Sequence, residues 1–182
     1  DGEHLMKVHV LRGAALEAAL EDVARLRIEV FRSYPYLYDG DLDYETRYLS
    51  AYRGNDAAIL VAAFAGRKIV GASTGAPLQE HADDFAVAFA GQGIALNEIF
   101  YCAESVLLPA YRGHGIGHAF FDAREAHARG HALCPPDYAP LDGFWRKRGY
   151  TPLPGVVAQF GWKDLDQPAE TDHPLQFWIR AL

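Results

Sequence analysis

The sequence predicts an α/β fold in which one mixed sheet carries helices on both faces. Three observations predict it. Leu16, Leu20, Val23, Leu26 and Val30 recur at helical spacing. Two apolar runs, 57–64 and 69–78, flank a turn at Gly66, the pattern of a hairpin. Further on, an apolar run enters a glycine-rich turn and then a helical pattern. Strands and helices in one ordered series make a layered α/β domain.

Each element follows in order. Residues 7–11 alternate and read as a short strand. Gly13 releases the chain into a helix that runs through Phe31. Tyr34, Pro35, Tyr36, Tyr38 and Gly40 make 33–43 an aromatic loop. A second short helix is predicted over 44–52, with Tyr44, Tyr48 and Leu49 on one side. The hairpin 57–78 comes next, then a small inserted helix over 81–90 whose Asp83 and Asp84 suit a first turn. Residues 99–108 are a strand ending at Pro109. A helix spans 115–129. A helical turn at 144–148 is closed by Gly149. The last two strands are expected at 156–162 and 175–182. No strand is expected in the proline-rich stretch 130–141.

Composition narrows the function. The 182 residues fit one domain, and half of them are apolar, enough for a core without staples. Cys102 and Cys134 make no disulfide framework, so a reducing compartment, the cytoplasm, is expected. No apolar run approaches the about 18 residues of a membrane span. The chain opens on Asp1, which reads as a trimmed start. The net charge of −7 argues against nucleic acid as partner. It suits a cationic acceptor such as an amine, or simply solubility.

The turn Arg112-Gly113-His114-Gly115-Ile116-Gly117 carries the chemistry. The first amides of a helix have no intrahelical partner, and the dipole adds positive charge there. Glycines let a diphosphate approach the backbone closely. Arg112 adds a permanent charge. A P-loop would need Lys and Ser or Thr after the last glycine, and Ile116-Gly117-His118 supplies neither. The dinucleotide fingerprint needs a different glycine spacing and an acidic residue on a second strand.

The context is more specific. Arg112-x-x-Gly115-x-Gly117 after a strand and Pro109-x-Tyr111, followed later by Phe144-Trp145-Arg146-Lys147-Arg148-Gly149-Tyr150, resembles the GNAT acetyltransferase superfamily. The resemblance implies a mostly antiparallel sheet with splayed central strands. It implies acetyl-CoA as co-substrate at the splay, and direct acyl transfer to a primary amine of a small molecule or peptide. Backbone groups of Val106 and Leu107 would face the pantetheine. Arg112, Gly113, Gly115, Gly117 and His118 would surround the pyrophosphate, with His114 and Ile116 in the same turn. An amide near Val106 would serve the oxyanion. The family also requires a fifth strand after the 115–129 helix. Its absence from the proline-rich stretch suggests residues missing from the sequence near 130–135.

Candidate catalytic groups follow. Glu104 lies inside an apolar strand, where a carboxylate is costly unless used as a base or paired with an arginine. Glu98, just before that strand, is a second base, acting through water. The resemblance implies a tyrosine acid at 145, but Trp145 stands there, and an indole is no such acid. Tyr150 and Tyr138 are substitutes. Tyr34, Tyr36 and Tyr38, with Asp39, Asp41 and Asp43, could wall an organic cation or form a solvated acidic turn. His114 and His118 sit four apart, but no third ligand points to a metal. Cys102 reads as a small buried hydrophobe. Two other functions stay open: a non-catalytic acyl-CoA sensor, and a partner-binding module using the C-terminal strands. A homodimer is compatible with all three.

Overall fold

The computed structural model describes residues 6–130, 136–138 and 142–182. Seven strands form one sheet in the order β1-β2-β3-β4-β5-β7-β6. They are β1 (Met6–Leu11), β2 (Ile59–Ala65), β3 (Lys68–Pro77), β4 (Phe100–Leu107), β5 (Pro136–Tyr138), β6 (Thr151–Trp162) and β7 (Thr171–Ile179). The first four pair antiparallel, β4 and β5 are parallel, and β5-β7-β6 is antiparallel again. The helices are α1 (Gly13–Phe31), α2 (Leu42–Tyr48), α3 (Ala82–Phe89), α4 (Ile116–Gly130) and α5 (Asp142–Lys147). No helix among the described residues is long and apolar enough to cross a membrane.

β2 and β3 are buried nearly residue by residue, not alternately. That pattern requires cover on both faces. The apolar face of α1 (Leu16, Leu20, Val23, Leu26) and that of α4 (Phe120, Phe121, Ala128) supply it. The α4 seat depends on a missing side chain. A Cβ at Gly71 would stand 2.6 Å from Leu107 and 3.1 Å from Phe120.

One expectation is overturned. A strand does form in the proline-rich stretch. β5 pairs Asp137 with Cys102 of β4, and Pro136–Tyr138 with Ile179, Trp178 and Phe177 of β7. Pro136 is the first residue of the strand, where an absent N–H is tolerated. The expected break near 130–135 falls on residues 131–135, outside the described residues.

The last strands also differ from expectation. β6 starts at Thr151, and its register slips between Pro152 and Val157. The Gln176 side-chain amide donates to the carbonyls of Leu153 and Val156 across that slip. β7 starts at Thr171 and contains Pro174, which sequence reading placed before the strand.

Candidate active site

The glycine turn is built as a cradle. After β4, a 3-10 turn at Pro109–Tyr111 leads to an extended Arg112. Gly113 and Gly115 take φ of 82° and 77°, which other residues resist. The Ala119 amide donates to the Gly115 carbonyl at 3.1 Å, so the amides of Ile116, Gly117 and His118 are the ones without an acceptor inside α4. A Cβ added at Gly113, Gly115 or Gly117 would meet nothing within 4 Å. The space beside these three glycines is therefore clear of other side chains. Arg112 sits at the rim, with its Nε donating to the Leu107 carbonyl at 3.1 Å.

Two of the expected cradle residues point elsewhere. His114 is exposed, with Nδ1 3.2 Å from the Tyr111 carbonyl. His118 packs on Phe144, and its Nδ1 lies 3.1 Å from Arg148 of the α5 end. Their backbones remain in the turn, and their side chains do not cover it.

β4 carries a bulge where the sheet opens. Ser73 pairs with Ser105, but Gly75 pairs with Cys102, so β4 has one residue more than β3 across Ala103 and Glu104. Cys102 is also the β4 residue that pairs with β5, through Asp137. Past it, 103–107 have no β5 partner among the described residues. The β5 side of 103–107 falls on residues after Tyr138 that lie outside the described ones, and β4 itself runs on into the cradle.

Arg124 of α4 holds the bulge. Its side chain is fully buried. Nη1 donates to the carbonyls of Thr74 (3.2 Å), Ala103 (3.4 Å) and Glu104 (3.5 Å), and Nη2 donates to Ser105 Oγ at 2.9 Å. A guanidinium is suited to this because its donors form a rigid planar fork. The signal was present in the sequence as a charge within the apolar stripe Phe120, Phe121 and Ala128.

Glu104 meets a buried ion cluster. Its Oε2 accepts from Arg27 Nη1 at 3.1 Å and from the Tyr48 hydroxyl at 3.1 Å. The carboxylate side chain is only 5% exposed, and Oε1 is buried without a hydrogen-bond partner. Arg27 Nε also donates to Glu45 Oε2 at 2.5 Å, and its guanidinium lies 4.0 Å from the centroid of the Tyr48 ring. Burial raises the Glu45 carboxyl above its ordinary range, against the opposing pull of Arg27. Burial, then Glu104, pushes the Tyr48 phenol well up. Arg27 likewise interrupts an apolar stripe, between Val23 and Val30, and could have been flagged from that.

An open cleft of about 470 Å³ lies beside this cluster. Tyr44, Arg47, Tyr48, Glu80, Phe160 and Glu170 are among its walls. The expected tyrosines do not line it. Tyr34 is 85% exposed. Tyr36 packs between Phe31 and Trp162. Tyr38 is buried, with its hydroxyl donating to Glu45 Oε1 at 3.0 Å. Sequence reading chose the loop, whereas α2 supplies the cleft's tyrosines.

The remaining candidates separate. Glu98 is exposed in the 3-10 turn before β4. The Tyr150 hydroxyl is buried and donates to Glu125 Oε1 at 3.0 Å. Glu125 is nine residues into α4, about 14 Å along the helix from the cradle. Trp145 is buried, with its ring 4.5 Å from that of Phe121, and is part of the core. Cys102 is buried, as expected of a small hydrophobe.

No protein-family model matches the chain, and no curated protein matches it. Solved structures do. A ribosomal-protein-alanine N-acetyltransferase from Brucella melitensis aligns over 96% of this chain and 99% of its own, with a TM-score of 0.62 at 13% identity. A GNAT-family protein from Desulfovibrio desulfuricans covers 96% and 98%, with a TM-score of 0.58 at 12% identity. The chain has the GNAT fold. A third structure, AAC(6')-Iy in complex with the bisubstrate analogue CoA-S-monomethyl-acetylneamine, covers 79% of this chain and 86% of its own, with a TM-score of 0.54 at 13% identity. The β4 bulge and the glycine turn of this chain are thus features set within a GNAT fold.

Proposed function

We propose that the chain is an N-acetyltransferase that moves an acetyl group from acetyl-CoA to a primary amine of a small molecule or peptide. The whole chain acts as one domain, and the amine attacks directly in a ternary complex. The observation that carries this reading is the glycine turn that joins β4, with its buried carboxylate at Glu104, to the first amides of α4. The solved structures of the same fold support it, since they include an N-acetyltransferase and a complex with a CoA-containing bisubstrate analogue.

The residues divide the work. Amides of Ile116, Gly117 and His118, with the turn Arg112 to Gly115, bind the pyrophosphate. Backbone groups of Val106 and Leu107 orient the pantetheine, and an amide near Val106 steadies the developing oxyanion. Glu104 is the base that keeps the attacking nitrogen neutral, with Glu98 as an outer, water-mediated one. The Tyr150 hydroxyl donates to Glu125, and the scheme gives it no step. The cleft's Tyr44, Phe160, Glu80 and Glu170 suit a cationic acceptor.

The test is calorimetry with CoA and acetyl-CoA, followed by thiol release with an amine panel. No heat with CoA would end the reading. Binding without turnover would favour an acyl-CoA sensor, which the indole of Trp145 in place of an acid also favours. Gly117→Leu separates cradle from fold. A Cβ there would meet nothing within 4 Å, and φ of Gly117 is not in the strained region. The substitution is expected to leave the melting temperature unchanged or higher by about 2 °C, since leucine favours a helix over glycine by about 0.5 kcal/mol or more. CoA affinity should fall at least about tenfold, or 1.4 kcal/mol.

A further inference from the structure

Two carboxylates, Glu45 and Glu104, share one buried guanidinium, Arg27. Both carboxylates are therefore held by one cation, and Glu104 keeps one carboxylate oxygen without a hydrogen-bond partner. Glu104 itself is not among the residues that line the cleft, but Tyr48 is. Of Arg27, Glu45, Glu104 and Tyr48, it is Tyr48 that the cleft's walls include. We propose that Tyr48 is a catalytic residue of the acyl transfer, lining the cleft with its ring and passing the amine's proton to Glu104 through its hydroxyl.

This role rests on the acyl-transfer reading above. The Tyr48 hydroxyl donates its own hydrogen to Glu104 Oε2 at 3.1 Å. Its oxygen lone pairs are then able to accept from a donor in the cleft. Arg27, 4.0 Å from the ring centroid, holds the ring in place. Burial keeps the phenol protonated, so it always has a proton to hand on. When Glu104 takes that proton, Arg27 keeps its 2.5 Å bond to Glu45, and no charge is stranded.

The step balances. The amine nitrogen bonds to the thioester carbonyl carbon, and the C=O π pair moves onto oxygen. The N–H proton passes to Tyr48 Oη as the Tyr48 proton passes to Glu104 Oε2. The oxygen pair then re-forms C=O, the C–S bond breaks, and sulfur leaves with the bonding pair. The proton returns from Glu104 through Tyr48 to that sulfur. Amine and thioester become amide and thiol, and both side chains end as they began.

Tyr48→Phe tests the role, since it removes the hydroxyl and keeps the ring over Arg27. With an amine that the wild type accepts, kcat is expected to fall about 10²-fold. The CoA dissociation constant should stay at the wild-type value, and the melting temperature should fall by no more than a few degrees, since Glu104 Oε2 keeps Arg27. Rates in mixtures of light and heavy water should change from a curved dependence, two protons moving together, to a linear one. If Tyr48→Phe keeps the wild-type kcat and curvature while Glu104→Gln is inactive, the Tyr48 role is wrong and acyl transfer stands. If wild type binds acetyl-CoA and acetylates no amine, the catalytic reading fails and takes this role with it.

Discussion

Replacing Arg124 by Met is expected to lower the unfolding free energy by about 3–5 kcal/mol, although the residue is no part of the surface that meets a substrate. The side chain is fully buried, and its fork satisfies three carbonyls and the Ser105 hydroxyl. Met matches its length but donates nothing. Each buried acceptor left without a donor costs about 1–3 kcal/mol, less for a carbonyl whose other lone pair keeps a partner. The loss falls on the bulge that aims Glu104, so activity should fall with stability. Urea unfolding checks it: the midpoint should drop by about 2 M if the slope is about 2 kcal/mol/M. Arg124→Lys, which keeps a cation but not the fork, should lie between. A midpoint unchanged by Arg124→Met would mean that the bulge holds itself.

Glu104→Gln is expected to reduce kcat by about 10²–10³-fold and leave CoA binding unchanged. The amide fills the same space but cannot take the proton. It should cost little stability, because Arg27 retains Glu45 as its partner. That contrast between rate and stability distinguishes a base from a structural ion pair. Steady-state kinetics with calorimetry of CoA on the same preparation checks both halves. A variant that loses its fold but, when folded, keeps its rate would make Glu104 a structural partner of Arg27 only.

Much of the fold was legible because its signals are local. The α1 stripe, the β2–β3 hairpin with its turn at Gly66, and the glycine turn before α4 each lie within a short window of sequence. β5 was not legible. It is three residues long, begins at a proline, and exists because β4 and β7 offer it edges on both sides. The β4 bulge was not legible either, since a register slip belongs to two strands together.

The candidate site divides the same way. The loop tyrosines were chosen for composition, but Tyr38 is buried against Glu45 and Tyr34 points into solvent. Arg27 and Arg124 could have been suspected as charges inside apolar stripes, though not their targets. Glu104 was found because a carboxylate in a central strand is expensive.

The sequence alone determined the start of α4, with its row of free amides and no side chains in front of them. Helix starts and glycine conformations depend on a few adjacent residues. Only the tertiary structure decided what surrounds Glu104. Its partners come from α1, α2 and α4, and the Tyr48–Glu104 bond alone spans 56 residues. Pairing over such a separation depends on how the chain packs, which no local pattern encodes.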